Sequence, residues 1–233
     1  MANLTFKDIA VASITGIIPA LIWLWFWWKE DKGGDPEPIG LVIVSFIIGM
    51  IGVIVVLPIE KFFETIITNK TILTFSWATA GEIIKFLAVF AIALQSRYIK
   101  RPIDVPMFFI TSALGFAALE NTLFLLQPEM VQNGIVSLIT GNLRFVGATL
   151  LHAISSSMIG IAIGLAFYKD RFTKTIYIIL GLLTAISLHA IFNLSIINGS
   201  RENVFTVFGF LWVVTIISML LFEKLRRMSN IVS

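Results

Sequence analysis

Seven apolar runs, each about 20 residues long and set off by short polar stretches, give this chain its pattern. They fall near residues 9–28, 39–58, 72–94, 104–126, 144–168, 175–198 and 204–222. A helix rising about 1.5 Å per residue crosses the hydrocarbon core in about 20 residues. The pattern therefore predicts an all-α, polytopic membrane bundle of seven transmembrane helices. It reads as a single integral-membrane domain over residues 1–233, with a core at 72–198. The tightest connection, Arg201-Glu202, makes the last two spans an antiparallel pair. The longest, Gln127 to Asn142, contains an apolar stretch from Ile135 to Ile139 that is too short to cross, so the segment 127–142 is expected to be re-entrant or interfacial.

Four of the runs are interrupted by ionisable residues. Glu82 and Lys85 lie near the middle of the third, Glu120 is in the fourth, His152 in the fifth and His189 in the sixth. A charge deep in hydrocarbon costs about 2.5–3.5 kcal/mol on insertion scales, so such side chains face a protein interior or a wet cavity. Their depths can be compared, because the four spans alternate in direction. Counted from the outer ends of their spans, all four fall about 9–15 Å below one surface. They are read as one site.

Composition narrows the class. The chain is 58% hydrophobic and 13% charged, with a mean hydropathy of +0.94, far from the globular average of about 25% charged. The net charge of +3 comes from basic residues placed between apolar runs, not from a patch with interleaved aromatics, which argues against nucleic acid. There is no cysteine, which leaves His and carboxylate as strong metal ligands. Lys7, Lys61, Lys70, Arg144 and Arg201 fall on one side of the membrane. On the other are Lys29, Lys32, Arg97, Lys100, Arg101, Lys169, Arg171, Lys174, Lys224, Arg226 and Arg227. Cytoplasmic loops are enriched in Lys and Arg, so the N-terminus is expected outside and the C-terminus in the cytoplasm of a multi-pass cell-membrane protein. The first run has no small-residue cleavage site and ends in Trp27-Trp28-Lys29, which reads as a retained span with an aromatic anchor. Small residues at Gly16 with Ala20 and at Gly160 with Gly164 are read as helix-packing positions. Leu-His-Ala-Ile occurs at 151–154 and again at 188–191, too short a match to establish duplication.

Helical spacing supplies each ionisable residue with a neighbour on its own face. Lys85 lies one turn from Glu82, Asn193 from His189, Ser155 and Ser156 from His152, and Phe116 from Glu120; Asn121 points about 100° away from Glu120. Glu82 with Lys85 alone would suit a structural ion pair, and either His alone a hydrogen-bonded interior imidazole. Two acids and two imidazoles at one depth are costly for stability, and that favours chemistry. A carboxylate beside an imidazole activates water by general-base catalysis, with Asn or His donating to the oxyanion. His152, His189 and Glu120 would equally suit zinc with an open position for water. A proton relay of a transporter is a third reading, although a relay should have members spread across the whole membrane.

Three motifs in order, Gly81-Glu82-Ile83-Ile84-Lys85, Phe116-Ala117-Ala118-Leu119-Glu120 and His189-Ala190-Ile191-Phe192-Asn193, resemble the Glu-Glu-x-x-Lys, Phe-x-x-x-Glu and His-x-x-x-Asp motifs of the PrsW intramembrane proteases. That family belongs with the CAAX-processing and bacteriocin-immunity membrane peptidases. His152 with Ala153 looks like its additional histidine; Asp35-Pro36-Glu37-Pro38 and Asp104 are similar to its segments at those places. Gly81 replaces the first Glu of the first motif, and Asn193 replaces the Asp of the last. The resemblance implies an endopeptidase, possessing or lacking zinc, that cleaves membrane-anchored proteins such as anti-sigma factors near the extracytoplasmic face. It implies catalytic roles for Glu82, Glu120, His152, His189 and Asn193, with Lys85, Phe116 and Asn121 supporting or binding substrate. Gly81 equally admits a catalytically degenerate relative that binds helices without cutting them.

Overall fold

The computed structural model describes residues 4–30, 38–132, 147–198 and 204–230. Among these the regular structure is helical throughout, with no strand. The helices are α1 (Phe6–Glu30), α2 (Ile39–Ile66), α3 (Lys70–Val89), α4 (Asp104–Leu125), α5 (Pro128–Gln132), α6 (Ala148–Leu165), α7 (Arg171–Asn198) and α8 (Val204–Asn230). A π-helical turn, Phe90–Leu94, extends α3. Seven of these helices are long and apolar enough to cross a membrane.

Side-chain caps fix several helix starts by satisfying backbone N–H groups that have no partner within the helix. Asn69 Oδ1 accepts from the amides of Thr71 and Ile72 at the head of α3. At α4 there is no side-chain cap; Asp104, its first residue, instead holds the preceding turn by accepting from the Lys100 and Arg101 amides and from Arg101 Nε. Asp170 accepts from the amide and hydroxyl of Thr173 before α7, and these bonds hold its carboxyl below the usual carboxylate range.

Burial divides the bundle into two central helices and a surrounding ring. In the most apolar stretch of α4 and of α6, 78% and 83% of residues are buried, against 22–39% in the other five spans. The ring turns Ile14, Ile54, Leu183 and Leu220 outward, as a surface in contact with lipid requires. Glycines let the central helices approach their neighbours. A Cβ at Gly49 would lie 1.9 Å from Ser112 O, one at Gly115 1.9 Å from Phe46 O, and one at Gly160 2.4 Å from Pro106 Cα. Gly16 likewise sits against Thr122 and Ala118 of α4.

The helices extend past the apolar runs that announce them. α2 continues through Pro58 to Ile66 and carries Glu60, Lys61 and Glu64 with it; α8 continues to Asn230. Hydropathy marks where hydrocarbon ends, whereas backbone hydrogen bonding carries a helix on into the polar interface. Of the segment 127–142, residues 128–132 form α5, while 133–142 lie outside the described residues, as do Arg144 and Arg201-Glu202.

Candidate active site

Four helices bring the predicted polar residues together. α3 supplies Glu82 and Lys85, α4 supplies Phe116 and Glu120, α6 supplies His152 with Ser155 and Ser156, and α7 supplies His189. The two imidazoles meet edge to face with ring centroids 4.9 Å apart. His189 Nδ1 lies 2.8 Å from Glu82 Oε1, and His152 Nε2 lies 2.8 Å from Glu120 Oε2.

The two carboxylates are placed very differently. Glu82 is fully buried and accepts from four side chains: Lys85 Nζ at 2.5 Å, His189 Nδ1 at 2.8 Å, Ser155 Oγ at 3.1 Å and Ser156 Oγ at 2.7 Å. Three of these bonds fall on Oε1, and Ser156 alone donates to Oε2. Glu120 has a side chain 36% exposed and lines a cavity of about 570 Å³. His152, His189, Asn193, Gly81 and Phe116 also line that cavity.

The network fixes the tautomers. Lysine only donates, so Lys85 Nζ, 3.5 Å from His152 Nδ1, makes that nitrogen an acceptor. The ring proton of His152 is then on Nε2 and is donated to Glu120. By the same logic Glu82 requires a proton on His189 Nδ1, which leaves Nε2 as the second nitrogen of a ring that lines the cavity. Phe116 packs on His152 at 5.5 Å between centroids and presents its face to Lys85 Nζ at 5.2 Å.

Asn121 lies off the cavity, as its helical phase requires: it is buried and donates to Thr149 Oγ1 at 2.9 Å, tying α4 to α6. Ser155 and Ser156, expected beside His152, turn to Glu82, although Ser155 also reaches the His152 carbonyl. Glu60, Lys61 and Glu64 line the same cavity and were not among the sequence candidates. Their signal lay in the helical phase of 57, 60, 61 and 64, once α2 is known to continue.

Two imidazoles and a carboxylate are the donor types that zinc takes, and His152, His189 and Glu120 share one cavity. Among the described residues no three His, Asp or Glu side chains converge on a point that would hold a metal ion. The fit is thus in donor type, with each donor engaged by a neighbour.

The fold and site define a polytopic membrane protein with a buried carboxylate–imidazole network opening onto a cavity, the equipment of a hydrolase that works within the bilayer. A family model described as the PrsW family intramembrane metalloprotease matches residues 37–221, and the chain belongs to that family. Relatives include Protease PrsW of Shouchella clausii (strain KSM-K16), 28% identical over 192 residues that span 80% of this chain and 84% of the relative. Protease PrsW of Halalkalibacterium halodurans is 25% identical over 217 residues, 91% of this chain and 96% of the relative. No solved structure gives a significant match.

Proposed function

We propose that the chain hydrolyses peptide bonds of membrane-anchored proteins in this cavity, with Glu120 as general base and His152 as its orienting partner. The observation that carries the reading is the 2.8 Å contact between Glu120 and His152 at the wall of a 570 Å³ cavity. Glu120 takes a proton from water as the oxygen bonds to the scissile carbonyl carbon. The Asn193 amide donates to the resulting oxyanion, and the carbon–nitrogen bond breaks as the proton passes to the leaving nitrogen. Glu82 holds His189 and pairs with Lys85. Zinc, when bound, would be held by His152, His189 and Glu120 only once His152 releases Lys85 or Glu120, and would supply a water of lowered pKa and a Lewis acid. The Lys and Arg distribution supports cleavage on the extracytoplasmic side, and the family resemblance supports substrates of the anti-sigma-factor type.

The test is cleavage of a single-pass substrate by the purified protein in liposomes, beside Glu120→Ala, His152→Ala and His189→Ala, with and without a chelator. Wild type is expected to cut and the three variants to lose at least about a hundredfold in rate. A wild type that cuts no better than the variants would remove the reading, and indifference to chelation together with absence of bound metal would remove its zinc form. One observation favours a second reading, binding without cutting: position 81, where the resembling motif has Glu, carries no side chain and has room for one. Gain of activity in Gly81→Glu over an inert wild type would establish it.

A further inference from the structure

Glycine inside a helix lowers stability relative to alanine, so a buried helical glycine needs a reason. For most of them in this bundle the reason is close packing. An added Cβ would meet a neighbour at 2.3 Å at Gly16, 1.9 Å at Gly49 and Gly115, 2.4 Å at Gly160, 2.6 Å at Gly164 and 2.9 Å at Gly181. Gly52 is tight at 3.2 Å, from an Ile84 methyl. Gly81 differs from all of these. It is buried, yet the single atom within 4 Å of its ideal Cβ is Phe116 Cζ, at 4.0 Å. Nothing in the helix packing requires a glycine there.

The space left at Gly81 belongs to the cavity that Glu120 and His152 line. The nearest group is the Phe116 ring, and the same cavity is lined by the buried apolar side chains of Ala78, one turn back on α3, and Val53 on α2, beside its polar members. The same Phe116 ring packs on His152. An apolar group resting at Gly81 is therefore separated from the carboxylate–imidazole pair by one aromatic ring, the reach of a single residue from its side chain to its own carbonyl.

We propose that Gly81 is the floor of a subsite for the apolar side chain of the substrate residue flanking the scissile bond, and that its missing side chain sets the upper size accepted. The inference rests on the proteolytic reading above. In that arrangement the side chain occupies the niche between Val53, Ala78 and Phe116, and its backbone carbonyl faces Glu120. Gly81 acts through fit alone and makes no contact with the attacking water.

The test uses the full-length protein in liposomes and a series of single-pass substrates, identical except for Ala, Leu or Phe at the cleaved position, with the cleavage site mapped by mass spectrometry. The readout is the ratio of kcat/KM for the Leu and Phe substrates to that for the Ala substrate. In Gly81→Val that ratio is expected to fall about tenfold or more, since filling a pocket by a few carbons discriminates on that scale. Gly81→Ala is expected to fall in the same order by a smaller factor, and it serves as the reporter if the valine variant does not fold. Ratios within about twofold of wild type in both variants, whatever the absolute rates, would overturn the subsite while leaving the proteolytic reading intact. A wild type that cleaves none of the series would overturn the proteolytic reading itself and the subsite with it.

Discussion

Removing Glu82 should harm this protein more than removing Glu82 and Lys85 together. The two side chains are 0% and 1% exposed and lie 2.5 Å apart, so neither charge has bulk water to fall back on. In Glu82→Leu the Lys85 ammonium stays in the interior with a Phe116 face at 5.2 Å and a His152 nitrogen at 3.5 Å, while Ser155, Ser156 and His189 lose their acceptor. Breaking a buried pair by deleting one partner costs about 3–5 kcal/mol, whereas replacing both partners with apolar groups is often close to neutral. For a chain of this length that single loss corresponds to a fall in Tm of about 6–20 °C. Lys85→Met should cost less, because Glu82 keeps its three other donors. The double variant Glu82→Leu/Lys85→Met should be more stable than Glu82→Leu alone, so the coupling should exceed the whole cost of Lys85→Met. The assay is unfolding of the four purified proteins in one detergent, read as a double-mutant cycle. A double variant no more stable than the additive sum, with coupling under about 0.5 kcal/mol, would refute the view that this ion pair is a mutually dependent structural unit.

Two further expectations follow from the site and from the chain's composition. Asn193→Ala should lower kcat by about a hundredfold with little change in KM, as loss of an oxyanion donor does; a change confined to KM would move Asn193 to substrate binding. Because the chain contains no cysteine, single-cysteine variants report topology directly. Thr68→Cys, between α2 and α3, should react with an impermeant thiol reagent added outside the cell, and Ser96→Cys, beyond the π-helical turn, should be protected. The reverse pattern would invert the assigned orientation.

The seven spans were legible because bilayer thickness imposes a length on each apolar run. The meeting of Glu82, Glu120, His152 and His189 was legible because charge in hydrocarbon must be gathered somewhere. What was hidden is instructive. Hydropathy ends the second run near residue 58, yet α2 runs on to Ile66 and brings Glu60, Lys61 and Glu64 to the cavity. A hydropathy window registers solvent preference, and Pro58 reads as a stop in a sequence although it stands inside this helix. The close approach of α2 to α4 was equally silent. Gly49 and Gly115 lie on different helices, and no spacing within one helix announces that each sits against the other's backbone.

The different surroundings of the two acids were the least legible feature, and the proposed chemistry rests on them. On the helical-spacing rule Glu82 has Lys85, and Glu120 has Phe116, so Glu82 looks like the better-equipped group. Spacing along one helix counts only donors on that helix. Three of the four donors to Glu82 come from elsewhere: Ser155 and Ser156 from α6 and His189 from α7. Glu82 is fully buried, away from solvent, and its burial costs least while it keeps these four donors. Glu120 is instead part-exposed at the cavity wall, beside His152, whose other ring nitrogen faces Lys85. Lys85 thus pairs with the buried acid and also contacts His152, the partner of the acid proposed as the base. The two roles are separable by experiment: Lys85→Met should reduce stability through Glu82 and reduce kcat through His152, and the kcat loss should vanish in a His152→Ala background.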